Sequence, residues 1–444
     1  MATPLRLTRR RAVPGLAVAA LTATAVLSGC ASKADSEGAA ALQLWTRSTP
    51  ASAKVYTKVI AEFTKKTGVK VDYVPVYENF EQKIQQAAAA KKLPDVVIND
   101  SSLLGPATTQ GLVGTIDKAS IAGSDQIVDR AWGQATGADG KLHAIPFSTQ
   151  AMALFIRKDW REKLGKDVPK TWDDLVSLAK AFQAEDPDGN GQADTYGMLV
   201  PGSSQRGYTA WWASSFLWEG GGDFLTQAGP GKFTPAIDSP RSVDAVTKLQ
   251  GLFCKDKVVV PGALTLITDD AHPFFEKGQA GIYLTGPYMM GRFDKSLGKD
   301  RYEVVPAPAG PGGATVLGEG ENIYLMAGSA QQDGQKKLAE FLISADGQRL
   351  GMNGTQPNPV VRIPVNKNVD MLAERKDDRW ALIAKVYQES ARTFPQVPNW
   401  QPFRQKTSET LNSLFATCDA DVRGALGKLA ADYRTELATQ KVAG

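Results

Sequence analysis

From residue 41 onward the chain alternates short apolar runs with longer segments of helical periodicity. Leu42, Leu44 and Trp45 lie in a run too short for a helix and predict a strand. Val55, Val59, Ile60 and Phe63 recur at helical spacing, predicting an amphipathic helix over 51–66 that Gly68 ends. Val69, Val71 and Tyr73 alternate as a second strand. Phe80, Ile84, Ala87 and Ala88 mark a second helix, and Pro94-Asp95-Val96-Val97-Ile98 a third strand. Strand, helix, strand, helix, strand implies a parallel sheet with crossover helices, hence the α/β class. Thr171-Trp172-Asp173-Asp174 opens a further helix, with Thr171 as cap and Asp174 three residues on, as in a capping box. Leu175, Leu178, Ala179 and Phe182 form its buried face, and later helices are predicted at 241–253, 334–350, 380–391 and 405–416. There is no internal repeat and no long linker after residue 40, so the lobes of so long a chain must be joined by short crossings.

The first 30 residues break this pattern. Arg6, Arg9, Arg10 and Arg11 precede an Ala-rich apolar run from Ala12 to Leu27, too short and small-residue-rich for a membrane span. The run ends in Leu27-Ser28-Gly29-Cys30, which resembles a bacterial lipobox. Residues 1–29 therefore read as a lipoprotein-type signal peptide, Cys30 as the lipidated residue, and 30–40 as a flexible tether to the extracytoplasmic face of the cell membrane. Thr8-Arg9-Arg10 is a partial twin-arginine pattern, and both export routes fit.

Charge changes the picture of partners. The formal net charge of the 444 residues is +4, yet residues 1–29 hold four of the 51 Lys and Arg and none of the 47 Asp and Glu. The remaining chain is neutral and has no basic stripe for nucleic acid. Cys254 and Cys418 remain after Cys30; outside the cell they can pair, and two buried free thiols fit the sequence equally.

Asp186, Asp188, Asn190, Gln192 (through its carbonyl) and Asp194 put oxygen atoms at alternate positions, with Gly191 for the sharp turn, as a calcium loop begins. Gly197 stands where the bidentate Glu belongs, so calcium and a plain Asp/Gly-rich turn both fit, and any ion would be structural; no cofactor is required. With only His143 and His272, and no Gly-x-Ser-x-Gly or P-loop pattern, zinc, serine-hydrolase and nucleotide chemistry lack their parts. A secreted glycosidase using paired carboxylates, Glu319 with Glu321 or Glu219 with Asp223, is the alternative reading. A surface adhesin would instead need an exposed apolar patch.

Several stretches occur in a telling order: Phe63 to Val71, Leu93 to Val97, Gly111-Leu112-Val113, Gly140 to Phe147, Leu154 to Asp159, Pro169 to Leu175, Phe275 to Ile282 and Gly286-Pro287-Tyr288. Together they resemble the family 1 extracellular solute-binding proteins of ABC importers, the maltose-binding class, over residues 40–444. The resemblance implies a two-lobed periplasmic-binding-protein fold, each lobe a mostly parallel sheet flanked by helices. Lobe 1 would comprise 41–150 and 306–355, lobe 2 would comprise 151–305 and 356–444, with crossings near Gln150–Ala153, Tyr302–Pro306 and Asn353–Val360. It implies a monomer with no enzyme activity that captures a sugar, di- or oligosaccharide in size, and delivers it to a membrane permease.

A sugar offers an apolar C–H face to aromatic rings and a rim of hydroxyls to planar polar groups. The resemblance carries Arg47, Ser48, Gln150, Tyr288 and Trp400 over as ligand contacts. Asn99 and Asp100 end the third strand, where ligands of parallel sheets sit, or cap a helix. Tyr208, Trp211 and Trp212 form an aromatic cluster. Neighbours on a helix point about 100° apart, so one of the two tryptophans faces the cleft. Glu319 lies in Gly318-Glu319-Gly320-Glu321-Asn322, which reads either as a sugar-binding loop or as a solvated one.

Overall fold

The structure, a computed structural model, describes residues 40–444; Cys30, the signal peptide and the rest of the tether lie outside the described residues. In chain order the strands are β1 (Leu42–Arg47), β2 (Val71–Val76), β3 (Val96–Asp100), β4 (Ile145–Ala151), β5 (Ala153–Arg157), β6 (Tyr196–Leu199), β7 (Leu225–Gly229), β8 (Lys232–Pro235), β9 (Ala280–Thr285), β10 (Tyr302–Val305), β11 (Val316–Leu325), β12 (Ile363–Pro364) and β13 (Ala391–Arg392). One sheet runs β12-β4-β11-β3-β1-β2, with β13 added to β11; a second runs β10-β5-β9-β6; β7 and β8 make a hairpin. Helices flank both sheets, giving the two-lobed α/β architecture.

Local chemistry sets the elements. Thr49 caps helix Pro50–Thr67 by accepting from the Ser52 N–H at 3.2 Å, and Gly68 ends it in the left-handed region at φ 73°. Val55, Val59, Ile60 and Phe63 are its buried face. Thr171 and Asp174 form the capping box of helix Trp172–Ala184. The predicted helix over 334–350 is two helices, Gln332–Ile343 and Ala345–Met352, broken at Ser344, which caps the second by accepting from Gly347 N–H.

Both sheets are mixed rather than mostly parallel. β2, β1 and β3 pair in parallel, but β11 and β4 insert antiparallel beside them, and in the second sheet only β6–β9 is parallel. In the first sheet the antiparallel pairs involve β11 and β12, which return after the chain has crossed, and in the second sheet β5 lies antiparallel to β9 and β10, which a βαβ reading does not anticipate.

The first crossing is Met152 alone, between β4 and β5, and the second spans 306–315. The third lies later than Asn353–Val360. β12 pairs with β4 and β13 with β11, so the chain is on the first sheet at both points and crosses over 393–400, although Arg379 between them reaches Asp294 and Tyr302 of the second lobe. The loop at 353–360 does reach the other lobe: a Cβ on Gly291 would lie 2.7 Å from Pro357. It then turns back as the apolar run Val360, Val361, Ile363 and Val365 is buried. Cys254, at the end of helix Pro240–Cys254, and Cys418, just past helix Gln401–Ala416, form a disulfide within the second lobe, with Cα atoms 5.3 Å apart. Among the described residues no helix is long and apolar enough to cross a membrane.

Candidate functional site

A cavity of about 870 Å³ opens between the two sheets. The first lobe supplies its charged wall. Arg47 ends β1 and Asp100 ends β3, and the two pair at 2.6 Å across adjacent parallel strands. Glu319 and Glu321 stand two apart on β11, so both face the cleft. They are therefore not in a loop but in the middle of a sheet. The glycines between and before them have a packing cause: a Cβ on Gly320 would lie 2.2 Å from the Gln134 side chain and the Ser148 carbonyl, and one on Gly318 would lie 2.5 Å from Ala391. Arg362, beside β12, pairs with Glu321 at 2.6 Å, and Tyr56 OH reaches the same carboxylate at 3.4 Å.

The second lobe supplies rings. Tyr208 and Trp211 project from helix Tyr208–Glu219, and Tyr288 follows β9. Trp211 Nε1 donates to the Glu319 carboxylate at 3.2 Å, and Gln150 Nε2 donates to the same group at 3.2 Å. Burial raises the Glu319 carboxyl above its ordinary range, reinforced by Asp100 and opposed by Arg404 and by those two donors. Burial raises Glu321 likewise, against the pull of Arg362. His272 also touches the cleft; burial and then Arg292 lower it to about 3, so it is neutral, with Nδ1 3.2 Å from Tyr283 OH. Two contacts span the mouth: Arg206 with Glu81 at 2.9 Å, and Tyr77 OH donating to Asp269.

Among the described residues, three atoms of lining side chains are buried without a partner: Asn99 Oδ1, Gln150 Oε1 and Arg362 Nε. Buried polar atoms left bare cost about 1–3 kcal/mol each.

The structure thus brings Arg47, Asn99, Asp100, Gln150, Tyr208, Trp211, Tyr288 and Glu319 together around one cavity. Three expected contacts lie elsewhere. Ser48 is buried and bonded to Thr46 Oγ1 at 2.6 Å, bracing the end of β1. Trp212 points away from Trp211 into the second-lobe core, its ring 5.0 Å from Phe216, as the 100° step between helix neighbours requires. Trp400 stacks on Phe403 at 5.3 Å with 6° between planes and on Phe394 at 5.3 Å; it is core at the third crossing. The Glu219–Asp223 pair is also outside the cleft: Glu219 is wholly buried and accepts from Trp172 Nε1 at 2.8 Å, while Asp223 pairs with Arg392.

In the Asp186–Asp194 turn the oxygens already serve amides. Asp186 accepts from Gly189, Asn190 and Gly191 N–H, and Asn190 Nδ2 lies between Asp188 at 2.9 Å and Asp194 at 3.2 Å. Gln192 donates its N–H to Asn190 Oδ1 at 2.7 Å. Among the described residues no three Asp, Glu, His or Cys side chains converge as an ion cage.

Sequence reasoning missed Arg362, Arg404, Arg206 and Tyr77. A charged residue inside the apolar run 360–365 was a signal for Arg362, since buried charge demands a partner.

Residues 47–349 match the bacterial extracellular solute-binding proteins. The chain belongs to that family. Its relatives include the fructooligosaccharide ABC transporter substrate-binding protein FusA of Streptococcus pneumoniae, 25% identical over 78% of this chain and 62% of FusA. The diacetylchitobiose binding protein DasA of Streptomyces coelicolor is 23% identical over 79% of this chain and 82% of DasA. Among solved structures, maltose-bound MalE3 of T. maritima superposes with a TM-score of 0.77, covering 89% of this chain and 99% of that one at 24% identity. This likeness establishes the fold, in which two lobes enclose a cleft.

Proposed function

We propose that this protein is the extracytoplasmic substrate-binding subunit of an ABC importer. It captures a carbohydrate of di- or oligosaccharide size between its lobes and hands it unchanged to the permease. The observation that carries this reading is the pairing of a ring-lined wall (Tyr208, Trp211, Tyr288) with a facing wall of polar and charged side chains on strand ends and on β11 (Arg47, Asp100, Glu319, Glu321). A sugar satisfies both at once: its C–H face stacks on the rings and its hydroxyls reach the polar atoms. The relatives named for fructooligosaccharide and diacetylchitobiose, and the fold neighbour holding maltose, support the same class. The cavity volume suits two to a few sugar rings. Binding without hydrolysis fits the carboxylates, because Glu321 is held by Arg362. Cys30 carries the lipid that keeps the protein at the membrane, and the protein works as a monomer.

The test is thermal unfolding of the full-length chain with maltotriose, 1-kestose and N,N'-diacetylchitobiose, with product analysis of each mixture. A sugar at a hundred times its Kd adds about 2.7 kcal/mol of stability. A shift with one series and no cleavage is the expected result. No shift with any sugar would overturn the carbohydrate reading, and cleavage would overturn the binding role.

A further inference from the structure

Four of the five arginines lining the cleft pair with a carboxylate, as Arg362 does with Glu321 and Arg47 with Asp100. Arg404 is the exception: among the described residues it has no carboxylate partner. It rises from the first turn of helix Gln401–Ala416, and its stem folds over Gly207, where a Cβ would lie 2.5 Å from Arg404 Cγ. Its Nε donates to the Gly207 carbonyl at 3.2 Å, which fixes the guanidinium and leaves its four remaining N–H groups for the cleft. Across the cleft, Glu319 likewise has no cationic partner among the described residues. It accepts from two neutral donors, and a carboxylate has about four acceptor sites. The two groups feel each other's charge without meeting as an ion pair, since Glu319 holds Arg404 up against its desolvation and Arg404 draws Glu319 down. One belongs to the first lobe and the other to the second.

We propose that the gap between Glu319 and Arg404 is the subsite that sets specificity, and that it takes a neutral sugar hydroxyl, donating to Glu319 and accepting from Arg404. A hydroxyl does both at one point. A carboxylate would satisfy Arg404 but stand against Glu319 and Asp100, and an ammonium would meet the reverse problem, so the cleft selects neutral sugars over uronic acids and amino sugars. This inference rests on the carbohydrate reading.

The experiment is calorimetry on the full-length chain with maltotriose, 1-kestose and N,N'-diacetylchitobiose as neutral probes, digalacturonate as the acid and chitobiose as the amine. At least one neutral sugar should bind, and the charged probes should bind about tenfold more weakly or worse. Arg404→Gln and Glu319→Gln should each weaken the neutral sugar by about tenfold, the effect of a hydrogen bond to a charged group. The double variant should be only slightly weaker than the worse single one, because one hydroxyl serves both groups. Arg404→Met keeps the stem over Gly207 and carries the same expectation if Arg404→Gln does not fold. Losses that multiply in the double variant, or digalacturonate binding as tightly as the neutral sugar, would overturn this inference and leave the carbohydrate reading standing. Binding of none of the five probes would overturn both.

Discussion

On the first-lobe side of the cleft, charged groups stand at the ends of β1 and β3 and along β11, each tied to a neighbour on the sheet. On the second-lobe side, Tyr208, Trp211 and Tyr288 present rings from helices and turns. The difference follows from what each group needs. A desolvated charge must be held by a partner at fixed distance, and adjacent strands provide that. A ring needs only area, so it can ride on an element whose position varies with lobe closure. Most polar contacts then belong to the rigid wall, with Arg404 as the second lobe's polar contribution, and contact area belongs to the other.

The largest expected effect breaks the charged wall. Arg362→Met leaves Glu321 buried without its cation and should cost about 3–5 kcal/mol of unfolding free energy, read by urea denaturation. A loss below about 1 kcal/mol would mean that Glu321 is held by other groups. Next, Trp211→Ala on the ring wall should weaken sugar binding by about 1–3 kcal/mol, since it removes both the stacking face and a donor to Glu319. Equal binding by this variant would remove the ring wall from the site. Third, buried Glu219 separates lobe stability from cleft chemistry. Its carboxyl is pushed up to about 8 by burial, against an ordinary value of 4.5 and the Trp172 bond. The folded chain keeps a proton the unfolded chain has released, so stability falls as pH rises from about 4.5 to 8, by up to about 1.4 kcal/mol per unit, and levels off above. Glu219→Gln should flatten that slope without changing sugar affinity; an unchanged slope would place the titration elsewhere. The smallest effect is at the mouth: Glu81→Gln removes a half-exposed bridge to Arg206 and should alter affinity by less than about 1 kcal/mol. A larger loss would promote that contact to a closing latch.

Part of the charged wall was legible: Asp100 from its strand end and Arg47 from the resemblance, whereas Glu319 was named within a Gly-rich stretch that read as a loop and that pairing with β3 and β4 makes a strand. The ring wall was half legible. Helical geometry limits the cleft to one of Trp211 and Trp212 but does not choose between them, and the choice is made by Phe216 and Phe253 on the far side of Trp212. Trp400 was misplaced because its aromatic partners, Phe394 and Phe403, make a core that depends on where the third crossing falls. That position was hidden too, since β12 and β13 are two residues long and leave no periodic trace. Arg404 lay beyond reach because its role comes from Gly207, 197 residues away.

The first crossing has a mechanical consequence. A single residue, Met152, connects β4 of one sheet to β5 of the other, whereas the other two crossings run over 306–315 and 393–400. A chain extends by at most about 3.6 Å per residue, so Met152 has no slack to pay out. The lobes can swivel about that point but cannot draw apart there, while the longer crossings are held by packing of their own, Ala309 N–H on the Lys170 carbonyl and Trp400 stacked on Phe394. Such a body swings like a door on one tight pin, and whatever lies farthest from that pin travels farthest for the least twist.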